Sequence, residues 1–491
     1  MKKIIFSLNL LFIATIAFAE PVVLSDYVTN YVTSYIYNVI TNGEIYIDGI
    51  EYQLVAERKP ENTVFYLNDG TKVCTNLVTI PTALYKGNTS LTNVEMGSSV
   101  TFITGQAFQN CYNLKNITFG PNVTNMNSGI LQGCTNLQSF SIPDNVEGIA
   151  GWTCDGCYNL KNIEFGNGLK NIGPYSFRNC YLVTNLIIGS SVTNIDYYAF
   201  QNCIGLKNII ISDNVENIGT NAFRLCTNLV NLTIGNGVTN ICDYAFNECR
   251  QLKNLVIPDS VETMKFGAFK NCTNLTTVKM GTGMKNISSE CFNLCSNISA
   301  VHCSDLSKWC KINFESSTAN PLCYNANLYI NGNKITDLVI PNDVESIEMG
   351  AFFRFTQLRS VTIPGSVTNI GNNAFYNCTN NTSITIGNGV KSIGNYTFYN
   401  NRIVPTIILP NSLESIGDYA FQYCYALKSL TIPQSVTNFG NGCFLTSGIT
   451  NLAFTGRAKA DVKGISNYSN LGIPNGCRIE CTDETYTYPD E

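Results

Sequence analysis

Leu229-Val-Asn-Leu232-Thr-Ile234-Gly-Asn-Gly-Val238-Thr-Asn-Ile241-Cys-Asp-Tyr-Ala245-Phe246-Asn-Glu-Cys249 is one turn of a pattern that returns every 23 residues. Counted from Leu229 as position 1, apolar residues stand at 1, 4, 6, 10, 13, 17, 18 and 21. Positions 4 and 6 alternate with polar neighbours, the period of a strand with one buried face. Positions 7 to 9 are Pro, Gly, Asn, Asp or Ser, which turn the chain by fixing φ, permitting positive φ or bonding the local backbone. A second short stretch, Val238 to Ile241, precedes a corner that contains Ala245-Phe246.

Working outward, Phe177, Phe200, Phe223, Phe246, Phe269 and Phe292 keep the step of 23, and Phe352, Phe375, Phe398, Phe421 and Phe444 resume it. No unit is long enough to bury its own apolar residues, so stacking is obligatory and the chain reads as a β-rich solenoid. The repeat is expected over 74–302 and 335–454. Residues 303–334 interrupt it as either two irregular coils or a protruding element. Residues 20–73 lack it, but Asp48-Gly49 and Asp69-Gly70 lie between alternating stretches. They suggest β-hairpins forming an N-terminal cap. Residues 455–491 read as a C-terminal cap and tail.

The unit Leu-x-x-Ile-x-Ile-(Pro/Gly)-x-x-Val-x-x-Ile-Gly-x-x-Ala-Phe-x-x-Cys, well kept from Leu358 to Cys378 and from Leu427 to Phe444, resembles the treponemal-type leucine-rich repeat of BspA-like surface proteins. The resemblance implies a right-handed, curved leucine-rich-repeat array. It also implies secretion or surface display and, in some members, adhesion to matrix or plasma proteins.

Met1 to Ala19 reads as a secretory signal peptide: Lys2 and Lys3, an apolar run, then Ala17-Phe18-Ala19. No later stretch is long and apolar enough for a membrane span. The mature chain is expected to be secreted, periplasmic or held on the cell surface. A formal charge of −5 with 13% charged residues provides no basic field for nucleic acid.

Cys111, Cys134, Cys157, Cys180, Cys203, Cys226, Cys249, Cys272 and Cys295 form a ladder in steps of 23. Parallel neighbours about 4.8 Å apart miss the roughly 3.8 Å between Cβ atoms that a disulfide needs. The ladder therefore reads as buried thiols filling core space. Cys303, Cys310 and Cys323 lie in or beside the interruption and Cys477 and Cys481 near the end; a disulfide, if one forms, belongs there, with Cys310 and Cys323 the candidate pair. No His accompanies the ladder, so it carries no metal pattern, and no cofactor is implied. His302 is the single histidine and has no nucleophile motif around it, so no catalytic residue is assigned.

Two outward positions could recognise a partner. Position 3 repeats Asn at 116, 162, 185, 208, 231 and 254. That is either an amide ladder holding the coils or a polar contact face. Position 5 is Ile187, Ile210 and Val256 among polar residues, either a β-forming solvated strand or an apolar contact stripe. Trp309, in the interruption, either packs in the core or cap or is a further ligand-facing candidate. The reading is a noncatalytic, adhesin-like protein for an extracellular protein or glycan. Its alternative is a structural envelope or spacer protein that self-associates.

Overall fold

The computed structural model describes residues 70–489 throughout, the strand Thr63–Leu67, and the backbone of Phe12–Ile13, Val23–Leu24, Glu44–Ile47 and Ile50–Gln53. Apart from Phe12–Ile13, the expected signal peptide lies outside the described residues. Two compact units divide the chain, residues 1–252 and 253–491.

In the first unit every coil gives two short strands, at positions 3–5 and 12–13. Asn185–Ile187, Asn208–Ile210 and Asn231–Thr233 pair in parallel with residue partners 23 apart. Asn171–Ile172, Asn194–Ile195, Asn217–Ile218 and Asn240–Ile241 form the second row in the same register. The register follows from the core. Leu206, Ile209, Ile211, Val215, Ile218, Ala222, Phe223 and Cys226, one coil's set, are all buried. A slip of one residue would turn them all outward. Phe177, Phe200, Phe223 and Phe246 stack face to face at 5.2 Å between successive ring centres.

The corner is also hydrogen-bonded from coil to coil. The amides of positions 16, 18 and 20 donate to the carbonyls of positions 15, 17 and 19 of the next coil: Tyr175 to Tyr197, Phe177 to Ala199, and Asn179 to Gln201. This alternation requires left-handed backbone at positions 16 and 20, seen at Tyr175 (φ 57°) and Asn179 (φ 63°) and again at Tyr198 and Asn202. Glycine, which adopts it freely, supplies it at Gly129 and Gly133.

At the start of the stack, Thr63–Leu67 runs antiparallel on Leu91–Glu95, and Lys72–Thr75 folds back on its other side. Glu44–Ile47 pairs antiparallel with Ile50–Gln53.

In the second unit, Asn254–Val256, Thr277–Met280, Ala300–Cys303 and Asn327–Ile330 continue the same construction. Asn333–Lys334 turns back antiparallel on the last of them. A new row begins at Asp337–Val339 and runs through Ser360–Ile363 to Ser383–Ile386. The interruption is two irregular coils rather than a protrusion. The Phe292 amide bonds Thr318 as other corner Phe residues bond position 17 of the next coil. That places Ala319 at the Phe position, 27 residues after Phe292 and 33 before Phe352. The additional residues make the helix Leu306–Cys310 and the turn about Asn331-Gly332. At the far end, Arg478–Glu480 pairs with the row at Asn451–Phe454, and Thr485–Thr487 turns back on it. No helix among the described residues is long and apolar enough to cross a membrane.

Candidate functional site

The outward side of the first strand row is built by strand alternation: with position 4 buried, positions 3 and 5 face solvent. Position 3 makes the amide ladder. The Asn208 amide nitrogen donates to Asn185 Oδ1 and Asn231 to Asn208, both at 2.6 Å, and Asn116 donates to Asn93 at 2.9 Å. These amides are largely committed to one another. At position 5, Ile187 is 66% and Ile210 47% exposed, side by side on paired strands. Glu164 and Thr233 bound this apolar strip above and below. In the second unit Val256 is half exposed, and Val339 and Ile408 occupy the same repeat position with still less cover. The sequence reading stopped at Val256, although the same count from Leu338 and Ile407 reaches both. A second asparagine ladder, unrecognised in the sequence, runs along position 12, where Asn194 donates to Asn171 at 2.7 Å.

Trp309 does not face a ligand. The helix N-capped by Asp305, whose carboxylate accepts from the Lys308 amide at 3.0 Å, turns the indole fully inward. Its N–H donates to the Ala351 carbonyl at 2.9 Å, which also accepts from Asn320. A buried indole needs such a partner, and this one ties the irregular coils to the array that follows. His302 stacks on Tyr329 at 4.7 Å.

The candidate Cys310–Cys323 pair is not bridged: both are free, buried thiols. They sit in different surroundings, Cys310 among Cys303, Asp305 and Asp343, and Cys323 beside Tyr324 and Arg354. The cysteine ladder is buried and free as expected, but it does more than fill space. Each thiol donates to the carbonyl of the corner residue one coil back: Cys134 to Phe108 at 3.1 Å and Cys203 to Phe177 at 3.1 Å. Asn401 takes the cysteine's place in its coil and makes the same bond to Phe375 at 2.8 Å. Position 21 thus takes a buried donor in these coils, although Phe355 fills it in another and the Ser447 hydroxyl there makes no such bond. Asn401 was the signal available in the sequence.

The corner of the first unit carries an aromatic surface that the repeat pattern concealed. At position 16, Trp152 stacks on Tyr175 at 5.2 Å and Tyr175 on Tyr198 at 4.8 Å, with ring planes within 7°. Tyr197 stands nearly perpendicular to Tyr175 and Tyr198. At position 22, Tyr158 stacks on Tyr181 at 4.9 Å. A polar ladder at position 19 runs beside these columns: Gln109 donates to Gln132, Gln132 to Asp155, and Arg178 grips Asp155 with two bonds of 2.9 and 2.7 Å. The hydrogen-bonded Asp155 raises the Arg178 guanidinium above its ordinary range. That guanidinium also lies 4.8 Å from the Tyr175 ring centre. Burial, with neighbouring Tyr198 and Tyr197, pushes the Tyr175 phenol up.

These rings have no conformational reason to be there. Left-handed backbone costs a residue with a Cβ about 1–2 kcal/mol, and a stacked pair returns about 0.5–1.5 kcal/mol. Gly129 and Asn221 occupy the same position in neighbouring coils. Aromatic and glycine or asparagine solutions are therefore close to equivalent for folding.

A family model described as BspA type leucine rich repeat region, in six copies, matches residues 78–207, 194–320 and 325–451. No curated protein is similar in sequence to the chain. Among solved structures, a leucine-rich repeat protein from Bacteroides ovatus is 19% identical, over 94% of this chain and 97% of its own, with a TM-score of 0.46. A leucine rich cell surface protein from Faecalibacterium prausnitzii is 24% identical, over 84% and 98%, with a TM-score of 0.38. The pneumococcal vaccine antigen PcpA is 18% identical, over 89% and 92%, with a TM-score of 0.39.

Proposed function

The chain belongs to the BspA-type leucine-rich-repeat family, and from that premise we propose that it is a noncatalytic recognition protein working outside the cell, where it binds an extracellular protein as an adhesin does. The observation that carries this reading is the outward strip of Ile187 and Ile210 beside a self-satisfied amide ladder. Apolar side chains held on a rigid sheet lose little entropy on contact, and a desolvated apolar centre inside a polar rim is how a binding surface concentrates its energy. Family membership supports display at the cell surface, as does the Lys2-Lys3 start followed by an apolar run.

The proposal is tested by passing the purified chain, without residues 1–19, over immobilised matrix and plasma proteins. Saturable binding to at least one is expected. Absence of binding to all of them, with circular dichroism showing intact β-structure, would reject it. Ile187→Lys together with Ile210→Glu should then weaken the interaction at least about 30-fold, as expected for two central apolar anchors. The pair is chosen so that the introduced charges, positive and then negative, follow Glu164 with alternating sign along the column. The fold already accommodates ion pairs between coils elsewhere, such as Lys170 with Glu147 at 3.1 Å.

A further inference from the structure

We propose that the corner of the first unit, the columns Trp152–Tyr175–Tyr198 and Tyr158–Tyr181 with the polar ladder beside them, binds a neutral glycan chain. This site is separate from the strand-face reading and uses none of its residues.

Three observations point to an uncharged, hydroxyl-rich ligand. First, the aromatic surface is open: Trp152 is 38%, Tyr158 43% and Tyr197 41% exposed. An aromatic face is electron-rich and attracts the positive C–H edges of a saturated ring. The perpendicular Tyr197 adds a second ring plane to the stack. Second, the patch's central charges cancel. Arg178 is held in two bonds by Asp155, a carboxylate itself buried. That guanidinium is thereby committed and is not offered to a phosphate, sulfate or uronate. Third, the exposed Tyr158 and Tyr197 carry hydroxyls that can each donate and accept. Such groups offer donors and acceptors in equal measure. That suits adjacent sugar hydroxyls, each of which is both. A proline-rich peptide would present carbonyl acceptors and almost no donors. The rings recur on three successive coils at position 16 and on two at position 22, so consecutive sugar units can meet like surroundings.

The aromatics also stand where folding does not require them. Position 16 is filled as well by Gly129 and Asn221, and position 22 by Thr135 and Thr227. These natural occupants supply variants that keep the backbone. The chain has two tryptophans. Trp309 is fully buried in the second unit, so a ligand-dependent change in indole emission reports on Trp152.

The full chain is titrated with amylose, dextran, mannan and a soluble β-glucan, with heparin and a polyproline peptide alongside. A saturable emission change is expected with at least one neutral polysaccharide and with neither heparin nor the peptide. Tyr175→Asn with Tyr198→Asn keeps the Trp152 probe and should weaken that binding at least about tenfold, as removal of two ring contacts implies. Tyr158→Thr with Tyr181→Thr is the second variant should the first lose its β-structure, and the same weakening is expected. Binding of the extracellular protein to the strand face should be unaffected in either. No response to any of the four neutral polysaccharides overturns the proposal. So does a response confined to heparin or to the peptide, or unchanged affinity in a folded variant.

Discussion

Raising the pH from 8 to 10 is expected to cost the first unit about 2 kcal/mol of stability for each thiol whose ionisation burial suppresses. Burial pushes the Cys203 thiol up to about 12. Burial likewise raises Cys134, Cys154, Cys180, Cys226 and Cys249 well above the ordinary thiol range. In the unfolded chain the same thiols ionise from about 8.5. Their contribution is therefore fully present below that pH and is lost as pH climbs towards 12, because the unfolded state releases its protons first. Summed over these six thiols, the loss is comparable to the whole stability of an ordinary domain, about 5–15 kcal/mol. Urea midpoints measured from pH 7 to 10 should be flat at first and then fall steeply. Cys203→Ser keeps a hydroxyl donor for the Phe177 carbonyl but does not titrate in this range. It should remove about 2 kcal/mol of the drop between pH 8 and 10. A pH-independent midpoint, or the same fall in the variant, would show that the thiols do not set the alkaline limit.

Phe200→Ala should destabilise the first unit by about 3–5 kcal/mol. The ring is fully buried and lies between Phe177 and Phe223 at 5.2 Å on each side. Its removal costs the transfer energy of a large apolar group and both stacking contacts, and the coil-to-coil hydrogen bonds limit how far the backbone can close the gap. Coupling in a solenoid runs between neighbours. Hydrogen exchange should therefore rise first at the corner amides of Phe177, Phe200 and Phe223, with the coils near Thr79–Ile80 affected last. A loss below about 1 kcal/mol, or a uniform rise in exchange across the unit, would contradict nearest-neighbour stacking as the source of stability.

The architecture was legible because the spacing of 23 repeats a burial pattern. Leu206, Ile209, Ile211 and Val215 are inside for the same reason in every coil, and one coil read correctly gives the rest. Ile187 and Ile210 followed from strand alternation alone. The direction of Trp309 was left open between core and ligand because it lies where the period breaks. There the direction of a side chain depends on the helix at Leu306–Cys310, which no repeat position specifies. The thiol hydrogen bonds were hidden because cysteine is at once a small apolar filler and a weak donor. The position has to be seen holding Asn401 before the donor role becomes clear. Trp152, Tyr175 and Tyr198 were passed over for a different reason. A tyrosine among glycine and asparagine marks left-handed backbone only when many coils are aligned, and the stacking of the rings across coils appears only in three dimensions.

Recognition through the outward strand face is the central claim. Binding isotherms of the wild-type chain and of the Ile187→Lys, Ile210→Glu variant, on whichever matrix or plasma protein is bound, test it most directly. The predicted result is at least about 30-fold weaker binding with an unchanged circular-dichroism spectrum and melting temperature. Equal affinity in a folded variant would move recognition off this face, and a wild-type chain that binds none of the proteins would contradict the proposed function itself.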